Sequence, residues 1–351
     1  MMQAWQATAY GADGNPGDTI SKLVLSDVPI PSAKDGQVVI KVEMAGINPI
    51  DWKLFSGGLH GIVPVSFPYT PGFDVYGTIS AVGAGVTSLV VGDKVCVDTG
   101  LVETCKDPCP AGPCGAFAQY AVALAECVSK SGSMTAEQAA GLPLVALTAY
   151  QALFTGKATS LAGAPLGSLT SGQKLLILGG STAFGQFAIQ LAKNAGASVT
   201  VTCSGASMPD GTPKADYLKG LGADETINYK EADWAEVLAG KDFDLILDAV
   251  GSEDDWKKAA GVLKAGHDFI SIANFATQAA ADDKVNFKNF LLKSIAADLD
   301  VLVAMVEKGT LKVPIDTVYD FKDVPAALKK SFELASGKGG AMGKLLVRVS
   351  H

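Results

Sequence analysis

Between Lys174 and Ile272 the chain alternates short apolar runs with helix-like segments, and this alternation limits the fold more than any other feature. Strands are expected at 174–178, 198–203, 225–229, 243–249 and 267–272, and helices at 186–195, 215–221, 231–239 and 254–263. The first run, KLLIL, shows no apolar–polar alternation, as expected of a strand covered on both faces. Strands joined through helices pair in parallel, so this half reads as an α/β doubly wound open sheet. The half before it differs. Residues 38–44 (VVIKVEM) partly alternate, the stretch 75–97 does so again, and glycine and proline punctuate both. No long helical periodicity appears before about residue 135, which predicts a compact all-β or barrel-like lobe. Two domains suit 351 residues. TAEQAAGLPLVALTAYQALF then reads as helix, with Thr135 and Gln138 spaced as a capping box. After a helix near 290–307 come GTLKVPIDTVYDF, another helix and a final strand GKLLVRV, a tail expected to rejoin the first lobe.

Composition narrows the function classes. With 48% apolar and only 18% charged residues, the chain is not disordered. A net charge of −8 and no basic patch argue against a nucleic-acid partner. Apolar stretches break within about ten residues, short of the roughly 20 that span a bilayer, so no integral membrane segment is expected. The start, MMQAWQATAYGADG, has neither a basic nor an apolar signal region, which points to the cytoplasm. Three histidines, His60, His267 and His351, are too few for a histidine-rich zinc site. Cys105, Cys109 and Cys114 sit in a Pro/Gly-rich loop whose reading stays open between metal, redox and ordinary free thiols.

The first strand runs into GGSTAFG. Gly179, Gly180 and Gly185 allow a tight turn and close approach to a pyrophosphate, while Ser181, Thr182, Ala183 and Phe184 complete the bend. The spacing departs from G-x-G-x-x-G, and the strand–turn–helix context carries the assignment to a dinucleotide. The second strand ends Thr202-Cys203-Ser204-Gly205, and no carboxylate follows until Asp210. An acid there would bind a ribose 2′-hydroxyl. Ser204, Lys214 and Tyr229 suit a 2′-phosphate instead, so NADPH is expected over NADH, with a merely solvated Lys214 as the alternative.

The segments AGINPIDWKLFSG (45–57), PGFDVYGTISAVGAGVTSLVVGDKV (71–95), GAFAQYAVA (115–123), LPLVALTAYQAL (142–153), LGADETINY (221–229) and FDLILDAVG (243–251), with the glycine turn, resemble the medium-chain dehydrogenase/reductases. The resemblance spans nearly the whole chain and is to the zinc-independent quinone oxidoreductase branch, which includes ζ-crystallin-like proteins. It implies a GroES-like β-rich catalytic domain (1–140, with a return at 297–351), a Rossmann NADPH-binding domain (141–296), and a cleft between them. It also implies hydride transfer to a quinone or α,β-unsaturated carbonyl. Zinc alcohol dehydrogenases carry a ligand Cys where Asn48 stands, and His-Glu where Phe73 and Asp74 stand, so no metal is expected.

By the same resemblance, Asn48 would hydrogen-bond near the nicotinamide or substrate and Asp51 would orient a loop or the ribose. Lys53 would stabilise an enolate or relay a proton, and Tyr69 would be a further proton donor. Thr148 would lie near the nicotinamide, and Val250 and Gly251 would line its ribose. Taken alone, Asn48-Pro49 could be a turn, Lys53 a surface lysine and Thr148 helix padding. A homodimer is expected, as relatives often pair their sheets edge to edge. Rival readings are an enoyl thioester reductase and a non-catalytic NADPH-binding protein.

Overall fold

The computed structural model describes residues 1–11, 16–61, 63–100, 115–154, 163–208, 210–275, 285–337 and 342–349. Six strands form one all-parallel sheet: Lys174–Leu178, Ser198–Cys203, Glu225–Asn228, Phe243–Asp248, Leu263–Ser271 and Val285–Asn289. Numbered along the chain within this sheet, their spatial order is 3-2-1-4-5-6. Leu175 and Ile177 pack into one apolar cluster and Leu176 and Leu178 into another, so both faces are covered. That double burial is why KLLIL lacks alternation.

The other large sheet is mostly antiparallel, with Ile315–Asp320, Lys344–Arg348, Gln37–Ile47, Asp74–Val82, Lys94–Asp98 and Ser129–Lys130 in spatial order. Tyr120–Leu124 also pairs with Gln37–Ile47. The long strand Gln37–Ile47 thus shares one edge between Tyr120–Leu124 and the C-terminal strand, which sits at its end with Leu345 opposite Ile47. The tail rejoins the first lobe in this way, and it brings Lys344 beside residues 47 and 48. A two-stranded sheet of Met2–Gln6 and Val24–Val28 completes the β structure described.

Several expectations are corrected. The first third is not purely β, because Pro16–Ser21 and Pro49–Phe55 are helices. The helix expected over 231–239 is one turn, Trp234–Val237, capped by Asp233. The helix expected over 254–263 is Glu253–Lys258 followed by the 3₁₀ turn Ala259–Gly261, and the next strand begins at Leu263. The helix expected near 290–307 spans Ala296–Glu307. At the start of Ala136–Gly141, Thr135 Oγ1 accepts from Gln138 N–H at 3.2 Å. Gln138 Oε1 accepts from Thr135 N–H at 3.0 Å, which completes the reciprocal cap the spacing predicted. Among the described residues, no helix is long and apolar enough to cross a membrane. Cys105, Cys109 and Cys114 lie outside the described residues.

Candidate active site

In an open parallel sheet a ligand crevice forms at the C-terminal strand ends where the order reverses, here between Lys174–Leu178 and Phe243–Asp248. The glycine turn lies there. Gly179 has φ +90°, and a Cβ on it would approach Val250 Cγ2 at 3.2 Å. A Cβ on Gly180 would meet Val201 Cβ at 2.7 Å. A Cβ on Gly185 would come within 2.4 Å of Gly179 O and 2.7 Å of Gly180 Cα. Thr182 closes the bend. Its hydroxyl donates to Gly179 O (2.8 Å) and accepts from Gly185 N–H (3.0 Å), capping the helix Ala183–Asn194. The Thr182 hydroxyl is thus engaged within the turn. The first-turn N–H groups of Ala183 and Phe184 have no intrahelical acceptor. A cradle that side chains would fill, at a helix N-terminus, fits a pyrophosphate.

Sequence reasoning missed what shapes the opposite ledge. Asp248 is buried at the end of its strand. Its Oδ1 accepts from Val250 N–H (2.8 Å) and Gly251 N–H (3.0 Å), and its Oδ2 from Ser271 Oγ (2.7 Å). Burial raises its pKa, against the lowering effect of those bonds. The cue was an acid closing the apolar run FDLILD. Val250 is held out from this ledge, 57% exposed.

Beyond the second strand, Lys214 opens the helix Lys214–Gly220 and is buried, and desolvation lowers its pKa. Among the described residues its ammonium has no carboxylate partner. Tyr229 follows the third strand, exposed, with its N–H on Cys203 O (3.2 Å). Ser204 directly follows Cys203, and the exposed carboxylate Glu231 reaches the Gly205 turn.

The other wall is built on the helix Pro49–Phe55. Asn48 precedes it in extended conformation, as the residue before proline prefers, and Pro49 sits in its first turn. Asp51 Oδ2 accepts from Asn48 N–H at 2.6 Å. Trp52 ties the helix to Val324–Ala335 through Ser331 Oγ (3.2 Å) and the edge of Phe332 (ring centroids 5.3 Å apart). Behind the wall lies a buried polar group. Lys344 Nζ donates to Ile47 O (3.0 Å), Asn48 Oδ1 (2.5 Å) and Asp74 Oδ2 (2.9 Å). Asn48 Nδ2 donates to Asp74 Oδ2 (2.8 Å), and Leu144 N–H to Asp74 Oδ1 (2.7 Å). Gly46 leaves the space for this, since its Cβ would stand 2.9 Å from Asp74 Oδ2.

Asp51 is fully buried and, among the described residues, its Oδ1 has no hydrogen-bond partner. Desolvation raises its pKa well above the carboxylate range, and Asp74 adds to this. A raised folded pKa stabilises the fold at low pH, and that stabilisation is lost as pH rises through the folded value. Asp51→Asn should remove this loss. The variant's unfolding free energy should gain on wild type as pH rises from the ordinary carboxylate range towards the raised folded value, by no more than about 1.4 kcal/mol per pH unit. A pH-independent gap in thermal melts would overturn the assignment.

The two walls enclose a cavity of about 470 Å³, reaching from Thr182, Ala183, Phe184 and Val250 to Asn48, Lys53 and Thr148. Among the described residues, the only ionisable side chains lining it are Lys53 and Lys344. Lys53 is half-buried with no acidic partner among the described residues, its Nζ lies 5.8 Å from the Trp52 ring centre, and burial lowers its pKa. Thr148 is buried, its hydroxyl donating to Leu144 O (2.7 Å). Two of the expected catalytic residues stand away from the lining. Asp51 lies beneath the wall, and Tyr69, paired through its backbone with Ala7, packs its ring in neighbouring apolar clusters.

Two lobes, one with a dinucleotide cradle and one closing a cavity over it, define a nicotinamide-dependent oxidoreductase. Residues 34–133 match the family model for the alcohol dehydrogenase GroES-like domain, and 221–347 that for zinc-binding dehydrogenase. The chloroplast envelope quinone oxidoreductase homolog of Arabidopsis thaliana is 30% identical over 356 residues, covering 99% of this chain and 98% of that protein. The NADPH-dependent alkenal/one oxidoreductase of the same plant is 30% identical, covering 90% and 72%. The quinone oxidoreductase structure from Coxiella burnetii superposes with TM-score 0.78 at 26% identity, covering 99% of each chain. The chain belongs to the medium-chain dehydrogenase/reductase superfamily, in its quinone oxidoreductase-like branch, and is an NAD(P)H-dependent oxidoreductase.

The zinc of the second family model does not fit this wall. Asn48 and Phe73 offer a carboxamide and a phenyl ring in place of zinc-binding groups. The Asp74 carboxylate already holds an ammonium at 2.9 Å, which would repel a divalent cation. Among the described residues, no group of three His, Cys, Asp or Glu is placed to bind a metal.

Proposed function

We propose that this enzyme reduces quinones or α,β-unsaturated carbonyls with NADPH and without a metal, in a cleft between a catalytic lobe (1–140 and 297–351) and a cofactor lobe (141–296). The observation that carries this is the cavity itself: it opens onto the glycine cradle and, among the described residues, its ionisable lining is two lysines and no acid. NADPH held along Gly179–Gly185 supplies a hydride. The remaining work falls to the chain's side chains. Reduction of a conjugated acceptor leaves negative charge on oxygen, and the Lys53 ammonium, poorly solvated and without an acidic partner among the described residues, meets it there. Thr148 has committed its proton to Leu144 O and so offers lone pairs, which suits it to hold the nicotinamide amide. Asp51 fixes Asn48 from beneath, Val250 and Gly251 support the ribose, and apolar walls keep water out.

NADPH absorbance followed with an ortho-quinone, an alkenal and an enoyl thioester tests the reading. Oxidation by the first two is expected. Oxidation by the thioester alone would make it an enoyl reductase, and tight NADPH binding with no oxidation a binding protein. NADPH over NADH is favoured by Ser204, Lys214 and Tyr229 around the second strand's end. Lys214→Ala should weaken NADPH binding about ten- to hundredfold, the value of a hydrogen bond to a charged group, and leave NADH binding unchanged. Equal weakening of both in fluorescence titrations would remove Lys214 from the site. We also propose a cytoplasmic homodimer. Fractionation and light scattering read this, and an organellar location or a monomer would correct it.

A further inference from the structure

We propose that Lys344 is a positioning residue for hydride transfer: its buried ammonium holds the Asn48 carboxamide so that one Nδ2–H is presented to the acceptor oxygen in the cavity. This rests on the reading of Asn48 as a group that meets substrate. An ammonium only donates, so the carboxamide atom 2.5 Å from Lys344 Nζ is the oxygen. A carboxylate only accepts, so the atom 2.8 Å from Asp74 Oδ2 is the nitrogen. The two contacts fix which way the amide faces. All three Lys344 donors are used, on Ile47 O, Asn48 Oδ1 and Asp74 Oδ2. The Asn48 nitrogen has two protons, and Asp74 takes one. Among the described residues the other has no protein acceptor, and Asn48 lines the cavity. A cation on the amide oxygen polarises the group and strengthens that N–H as a donor.

The backbone sets this placement. Leu345 pairs with Ile47, which puts Lys344 against the end of the neighbouring strand. The chain enters through Gly343, at φ +146°, where a Cβ would lie 2.6 Å from Pro314 O. Asp74 balances the charge, so the wall presents a directed dipole and the cation stays paired behind it. A buried ion pair of this kind contributes little net stability.

A double-mutant cycle tests the proposal. Lys344→Met combined with Asp74→Asn removes both charges and leaves no lone carboxylate buried. Turnover of an alkenal or ortho-quinone should fall about 10- to 100-fold, with NADPH Kd by fluorescence titration and the melting temperature little changed. Asn48→Ala should cost a similar factor. Adding the Lys344/Asp74 pair to Asn48→Ala should change turnover by less than about twofold, because the group that Lys344 acts through is already gone. A multiplicative loss would overturn the positioning role while leaving Asn48 in place. Unchanged turnover in Asn48→Ala would remove Asn48 and, with it, this role for Lys344. If the paired variant does not fold, Lys344→Gln combined with Asp74→Asn keeps a donor for Asn48 Oδ1 without either charge. An intermediate loss of turnover is expected, and wild-type turnover overturns the proposal.

Discussion

Gly185→Val should abolish NADPH binding, raising Kd by more than about a hundredfold, or about 2.7 kcal/mol. The reason is local and steric. Even the first carbon of the new side chain would lie 2.4 Å from Gly179 O and 2.7 Å from Gly180 Cα, and both are backbone atoms that cannot swing aside. The helix start must then retreat from the end of the strand Lys174–Leu178. The cap goes with it, because Thr182 Oγ1 accepts from Gly185 N–H. The free N–H groups of the first turn lose the aim that makes a helix N-terminus an anion site. The rest of the helix is anchored by Phe187, Ile189 and Leu191, all buried, so the sheet should keep its order. Circular dichroism near wild type, with no melting-temperature rise on adding NADPH where wild type should show one, separates lost binding from lost folding. Gly220→Ala is the control: its Cβ would meet nothing within 4 Å, and binding should not change. Wild-type NADPH affinity in Gly185→Val would mean that the cofactor lies elsewhere.

That cradle could be read from the sequence because its physics is local. A strand buried on both faces, three glycines and an apolar helix stand in one short segment, and each leaves its own mark on residue choice. The capping box at Thr135 was legible for the same reason. The opposite wall was harder. Pro49–Phe55 is seven residues long, too short for helical periodicity to register, and Asn48-Pro49 reads equally well as a turn. The local cue was Asp51, three residues after Asn48, whose carboxylate caps the Asn48 N–H. Lys344 gave no such cue. Its partner Asn48 lies 296 residues away, and only the pairing of Leu345 with Ile47 brings them together. In GKLLVRV it looks like the polar start of an ordinary strand. Asp248 and Asp74 were hidden similarly, since an acid at a strand end shows its role only once the backbone N–H groups it gathers are in place.

Lys53 can be tested more directly. Lys53→Met should lower turnover about a hundredfold, roughly 2.7 kcal/mol of transition-state stabilisation, and leave NADPH Kd near wild type. Methionine keeps much of the length of the aliphatic stem and removes the charge that lies 5.8 Å from the Trp52 ring centre. The effect should fall on kcat more than on KM, because the negative charge it meets develops as the hydride moves. Acidity gives a second signature. Burial lowers the Lys53 pKa from its usual 10.5, and the proposed role requires the protonated form. Wild-type kcat should therefore fall as pH rises through that lowered value, whereas Lys53→Met should show no such limb. Lys53→Arg stays protonated far higher, so any activity it retains should hold to more alkaline pH. A polar surface lysine would produce none of this: turnover unchanged in Lys53→Met, with the alkaline limb intact, would leave oxyanion stabilisation to the Asn48 amide alone.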